Sequence, residues 1–198
     1  MGNISRREFV RKGSAAVAGL TIVPNIVMGK SFGHTAPSDK LNIAGVGVGG
    51  MGRNNLKNMS GENIVALCDV DWSYAAKTFK DYPQAKTFKD WRDMFDKMGN
   101  SIDAIMVATP DHTHAAIAAH AMTLGKHVYV QKPLTHSVYE SRLLAALAKK
   151  YKVATQMGNQ GSSGDDFRRV CEYIWDGTIG DVTEVHAWTD RPIWPQGL

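Results

Sequence analysis

Between residues 45 and 52 the chain reads GVGVGGMG, five glycines in eight positions, and this stretch constrains the fold more than any other. The apolar run from Leu41 to Val46 leads into it, and a segment with helical periodicity follows. Glycine at such density serves tight turns and close backbone approaches, since it adopts left-handed conformations at no steric cost and carries no Cβ. Two registers of G-x-G-x-x-G fit: Gly45, Gly47, Gly50, or Gly47, Gly49, Gly52. The second leaves a full strand before the turn and is preferred. In it Gly47 permits the turn, Gly49 lets the backbone approach a diphosphate, and Gly52 allows the following helix to pack closely. The backbone donors near Gly50 and Met51 point at the anion.

A glycine turn alone is a weak signal, and Asp69 strengthens it. This residue follows the apolar run NIVALC (63–68) and lies 20 positions beyond Gly49. A carboxylate at the tip of a second strand accepts hydrogen bonds from both ribose hydroxyls of an adenosine and repels a 2′-phosphate. NAD is therefore the expected cofactor, with NADP left open by the nearby Arg53. Asp71 reads as the cap of the next helix.

From Lys40 onward, short apolar runs alternate with longer amphipathic ones. Strands are expected at 41–46, 63–68, 103–107, 127–130 and 152–155, and helices at about 50–59, 72–80, 90–97, 113–124 and 137–150. Runs apolar throughout suit strands covered on both faces. Ser137 and Glu140 form a capping-box pattern, and Gly125 is placed to end the preceding helix. This alternation predicts an α/β fold with a doubly wound parallel sheet, the Rossmann arrangement, over residues 39–157. After Thr155 a Gly- and Ser-rich stretch breaks the pattern. A helix at about 165–176 and a strand at 182–188 then read as the start of a second, α+β domain over 158–198. One helix and one strand cannot bury their own apolar faces, so the 198 residues read as the front part of a longer protein.

Charge separates the chain into two parts. Residues 1–38 hold five basic side chains and one acidic, whereas the remainder carries 18 of each sign. A near-neutral body lacks the positive field that nucleic-acid binding needs. The basic leader runs from Ser5, Arg6 and Arg7 through Phe9 to Lys12, then into GSAAVAGLTIV and Pro24. It resembles a twin-arginine export signal, which implies the twin-arginine translocase as a partner, a periplasmic destination and cleavage between Met28 and Ser38. No run of 18 apolar residues is present, so no membrane span is expected in the mature form. Cys68 and Cys171 have no CxxC spacing and read as buried apolar residues.

Ligands of a doubly wound sheet sit outside the carboxyl ends of the strands. The segments there read ATPDHTH, QKPLTHS and QMGNQGSS. Together with the glycine turn, these three segments resemble the Gfo/Idh/MocA oxidoreductase family, including exported members of the glucose–fructose oxidoreductase type, over residues 40–198. Such members typically show a T-P-x-x-x-H loop, an E-K-P motif and an Asn-containing link to a second domain. The resemblance implies that Thr109, Pro110, Asp111, His112 and His114 line the cofactor. It also implies that Gln131, Lys132 and Pro133 lie at the nicotinamide end and that Asn159 closes the pocket. Lys132 is the expected catalytic residue, since an ammonium there can hydrogen-bond a reacting hydroxyl and stabilise charge growing on its oxygen. Position 131 is Gln where the family usually has Glu, so no carboxylate tunes Lys132 from that site. The family's acid/base pair belongs to the second domain and has no match here.

No metal site is expected. His112 and His114 lack a completing set of ligands, and His120, His127, His136 and His186 read as surface or strand-end residues. Trp72 and Trp91 read as helix packing residues. Trp188 and Trp194 flank Asp190 and Arg191, candidates for substrate contact. The resemblance implies hydride transfer between a sugar or sugar derivative and a tightly held nicotinamide cofactor, with homo-oligomers through the second domain. The first alternative is a glycosidase that oxidises C3, eliminates the aglycone, adds water and reduces again. The second is a non-catalytic dinucleotide-binding protein.

Overall fold

A computed structural model describes residues 39–188. The leader, Asp190, Arg191 and Trp194 lie outside the described residues. Six parallel strands form one sheet: β1 (Asn42–Val46), β2 (Asn63–Cys68), β3 (Lys86–Phe88), β4 (Ala104–Val107), β5 (His127–Gln131) and β6 (Thr155–Gly158), in the spatial order β3-β2-β1-β4-β5-β6. The helices are α1 (Gly50–Asn58), α2 (Trp72–Asp81), α3 (Trp91–Met98), α4 (Asp111–Thr123), α5 (Val138–Tyr151) and α6 (Asp165–Trp175). This is the doubly wound α/β fold that the alternation predicts. Its order reverses between β1 and β4, where such sheets bind ligands.

Both faces of the sheet are covered, which explains why β2 and β4 are apolar without alternation. On one side Ala44, Val46, Ile105, Val107, Val128 and Val130 pack with Met94, Phe95, Ile117, Met122 and Leu144 of α3, α4 and α5. On the other, Ile43, Ile64, Leu67 and Met106 pack with Val48, Leu56 of α1 and Ala75 of α2. Successive strand residues point to opposite faces, but β2 breaks that parity. Its pairing with β1 jumps from Ile43↔Ile64 to Ala44↔Ala66, so Val65 is an extra residue. The bulge sends Val65 and Ala66 to the same face.

The expected helix ends hold. Ser137 Oγ accepts from Glu140 N, and Glu140 Oε2 accepts from Ser137 N at 2.9 Å. Gly125 takes φ +73 after α4. Asp71 Oδ1 caps α2 by accepting from Ser73 N and Tyr74 N, both at 3.0 Å.

Four expectations need correction. Strand β3 has no counterpart in the sequence pattern: Lys-Thr-Phe is too short and polar to stand out, and it forms because the edge of β2 offers it a ladder. The last strand lies at Thr155–Gly158, not 152–155, because α5 runs to Tyr151 and Lys152 takes a left-handed conformation (φ 54) in the turn. Helix α4 begins at Asp111, two residues early, so four of the six residues of the T-P-D-H-T-H segment are helical. The strand expected at 182–188 is not formed; those residues are exposed and join no sheet among the described residues. Helix α6 is present, yet none of its residues is buried.

Candidate dinucleotide-binding site

The turn after β1 is fixed by an accounting of its amides. Gly47 N donates to Cys68 O at 2.9 Å, holding the turn against the end of β2. Val48 N and Gly49 N both donate to Asp69 Oδ2, at 2.9 and 3.1 Å. Asp69 Oδ1 accepts from Asp71 N at 3.0 Å. Arg53 N, bonded to Gly49 O, closes the first helical turn of α1. That leaves the amides of Gly50, Met51 and Gly52 with no acceptor among the described residues, at the positive end of a helix. Asp69 therefore does more than the sequence suggested: it clamps the turn that presents those donors. Its Oδ1, holding one hydrogen bond, keeps capacity for a ribose hydroxyl.

The preferred glycine register matches this geometry. Gly47 has φ +75, and a Cβ on it would stand 2.6 Å from the backbone of Ala108 at the end of β4. A Cβ on Gly52 would collide with Gly47 O, so the helix packs on its own turn only with glycine there. Gly49 differs from expectation, because the group over it in this structure is the ring of Tyr74. Gly45 lies within β1.

A cleft of about 490 Å³ opens at this point, along the carboxyl ends of β1, β2 and β4. Gly47, Gly49, Asp69, Thr109, Pro110 and His112, all candidates from the sequence, line it. Val70, Tyr74, Lys89 and Trp91 line it too, none of which the sequence pattern singled out for binding. Trp91 also packs edge-on against Phe95 and His120, and Trp72 against Phe79. Arg53 is drawn away from the cleft by Asp81, with Nε to Oδ2 at 2.7 Å and Nη2 to Oδ1 at 3.2 Å. This pairing holds the Asp81 carboxyl below its usual range. The Cys68 thiol at the cleft floor is pushed up to about 12, mainly by burial and then by the charge of Asp69. It is an inert thiol.

The remaining expected residues divide into supports and tips. His114 is 1% exposed and does not face the cleft. Its Nδ1 lies 2.7 Å from Pro133 O and its Nε2 2.8 Å from Thr109 O, so it ties the loop after β4 to the loop after β5. Asp111 is exposed in the first turn of α4. Gln131 is 6% exposed and turned inward: Oε1 accepts from Lys132 N at 3.1 Å, and Nε2 donates to Asn55 Oδ1 at 3.3 Å. Asn55, 4% exposed on α1, also accepts from Gln160 Nε2 at 3.2 Å, and Gln160 reaches Tyr129 Oη at 2.9 Å. This amide network was not legible beforehand, since Asn55 and Gln131 are 76 positions apart. Lys132 and Pro133 are exposed beyond β5, and Asn159 beyond β6 accepts from Gln156 Nε2 at 3.2 Å. Lys132 Nζ makes no hydrogen bond or ion pair with the described residues. Among these residues no three His, Cys, Asp or Glu side chains cluster as a metal ion needs, and no helix is long and apolar enough to cross a membrane.

A cradle that only glycine can form, three free amides at a helix start and a carboxylate beside a narrow cleft fit a nicotinamide adenine dinucleotide. Comparison with known proteins agrees. The pattern of the Gfo/Idh/MocA oxidoreductases, described as an NAD-binding Rossmann fold, matches residues 41–159. A glycosyl hydrolase family 109 protein of Shewanella sp. (strain W3-18-1) is 27% identical, over 94% of this chain and 46% of its own length. The chain thus spans about half the length of the curated relatives it matches. Myo-inositol 2-dehydrogenase from Lactobacillus plantarum superposes with a TM-score of 0.66 at 25% identity, over 72% of this chain and 43% of that one. GenD2 from gentamicin A biosynthesis, solved in complex with NAD, gives 0.64 at 26% identity, over 70% and 40%. The chain belongs to the Gfo/Idh/MocA oxidoreductase family, and residues 41–159 are its NAD-binding Rossmann domain.

Proposed function

We propose that this protein transfers a hydride between a sugar or cyclic polyol and a nicotinamide dinucleotide that it holds tightly. The observation that carries the reading is the division of the sheet's carboxyl edge. The free amides of Gly50 to Gly52, with Asp69, supply a diphosphate and ribose seat at one end, and an unpaired lysine stands at the other. When bound, the nicotinamide supplies a two-electron hydride acceptor or donor at its C4. Val48, Gly49 and Asp69 fix the turn, Gly50, Met51 and Gly52 donate to the diphosphate, and Thr109, Pro110 and His112 border the crevice towards β4. The Lys132 ammonium would hydrogen-bond the oxygen of the reacting hydroxyl and stabilise negative charge there as the C–H hydrogen leaves with its electron pair. The O–H proton would pass to an acid/base residue of the second domain, where the family resemblance places it. NAD is favoured over NADP, because Asp69 repels a 2′-phosphate and Asp81 occupies the Arg53 guanidinium.

A second reading, a glycosidase acting through transient oxidation, is favoured by the relatives that carry the glycosyl hydrolase family 109 name and match 94% of this chain. Product analysis of the full chain on a panel of free sugars, inositols and glycosides separates the two. An oxidised sugar together with reduced cofactor supports the first. A released free sugar with no net change in cofactor redox state supports the second. A retained dinucleotide with no turnover on the whole panel sinks both and leaves a binding protein.

Export belongs to the same proposal, supported by Arg6, Arg7 and Phe9 in the leader. Replacing both arginines by lysine is expected to shift the protein from periplasm to cytoplasm on fractionation.

A further inference from the structure

Helix α2 turns one face towards the glycine turn and α1. Tyr74, Thr78 and Asp81, spaced by four and three residues, lie on that face. Each makes a specific contact. Thr78 Oγ1, fully buried, donates to Val48 O at 2.7 Å, and Asp81 holds Arg53 on α1. Tyr74 lies directly on the glycines. A Cβ added at Gly49 would fall against ring atoms Cδ1 and Cε1, and one added at Gly50 would fall on the hydroxyl oxygen. The backbone that carries the ring is held at the start of α2. Asp71 caps it through Ser73 N and Tyr74 N, while Asp71 N is held by Asp69.

The chemistry of the tyrosine is unusual for a packing residue. It is 66% exposed and lines the cleft, and its ring lies where a Cβ on Gly49 or Gly50 would stand. Its hydroxyl has no hydrogen-bond partner among the described residues and lies by Gly50, where the acceptor-free amides begin. An O–H at that spot adds one more donor to the same anion. We propose that Tyr74 is the latch of the dinucleotide seat: its ring covers the glycine turn, and its hydroxyl donates to a phosphate oxygen of the bound diphosphate, slowing its release. It follows that Gly49 is required by the tyrosine lying on it as well as by any ligand. This rests on the dinucleotide reading of the cleft.

The test is the release rate of reduced dinucleotide from the full chain, followed by fluorescence after dilution into excess of a dehydrogenase that consumes it. Tyr74→Phe, which keeps the ring, is expected to release about tenfold faster, the scale of one hydrogen bond to a charged group. Tyr74→Ala should release faster still. Gly49→Ala should accelerate release in the parent and by clearly less in the Tyr74→Ala background, since the clash with the ring has gone and only the approach to the diphosphate remains. The latch is overturned if Tyr74→Phe releases at the parental rate, or if Gly49→Ala keeps its whole effect without the tyrosine. A parent that carries no dinucleotide and binds none when supplied overturns the reading of the cleft, and the latch with it.

Discussion

The two ends of the sheet's carboxyl edge differ in kind. At the β1–β2 end the chain closes on itself: Asp69 clamps the turn, Thr78 anchors α2 on Val48, and Tyr74 covers the glycines. At the β5–β6 end the buried amides of Asn55 and Gln131 form a platform, and what stands on it is exposed: Lys132, Pro133 and Asn159. The first end can bind with what it has. Among the described residues the second presents the Lys132 ammonium and no carboxylate hydrogen-bonded to it, because Gln131 is neutral and turned inward. Binding and chemistry are thus separable here, and substitutions at one end should leave the other measurable.

Substitution of Lys132 by Met tests that separation with the largest effect. The hydride-transfer rate is expected to fall by about 10²- to 10³-fold, the scale of a lost acid/base or charge-stabilising group. Dinucleotide affinity should stay within about threefold, since no contact at the other end is touched. A parallel loss of affinity, measured by calorimetric titration, would show that the ends are not independent. Asp69→Ala probes the opposite end. The amides of Val48, Gly49 and Asp71 lose their acceptor, each at about 1–3 kcal/mol, and dinucleotide affinity should fall by about 100-fold or more. Retention unchanged in Asp69→Ala would remove the basis of the cleft assignment.

Asn55→Leu reaches the platform. It leaves the amides of Gln131 and Gln160 without their shared acceptor, and a stability loss of about 2 kcal/mol in denaturant unfolding is expected. Asn55→Asp, which keeps the acceptor, should recover part of it. The smallest effect is read by the cysteines. Cys171, on the unburied helix α6, should alkylate at pH 8 while Cys68 in the folded chain stays unmodified. The sign of the linked stability follows from the raised thiol. From about pH 9, the ordinary value, to about 12, the unfolded chain gives up the Cys68 proton and the folded chain keeps it. Stability therefore falls as pH rises through that window.

Much of the fold was legible because its signals are local. Glycine density, the Ser137–Glu140 pair, Asp71 as a cap and the apolar runs of β1, β2, β4 and β5 report conformations set within a few residues. The misses lie where distant parts decide. Strand β3 exists because β2 has an open edge. Strand β6 begins only after α5 has reached its left-handed cap at Lys152. In the site, Gly47, Gly52 and Asp69 were readable from spacing. Tyr74, Thr78 and Asn55 were not, since nothing near them in sequence marks an unusual role.

The amino-acid sequence by itself therefore determined the kind of sheet, the glycine turn and the carboxylate at the tip of β2. Steric freedom at glycine and the burial of apolar runs operate over short stretches of any chain. Only the tertiary structure decided that Val65 bulges, that His114 and Gln131 serve as supports, and that Tyr74 lies across Gly49. Those outcomes depend on which backbone groups remain unpaired once elements far apart in sequence are packed together. A buried hydrogen-bonding group must then take a partner from whatever segment the fold brings to it.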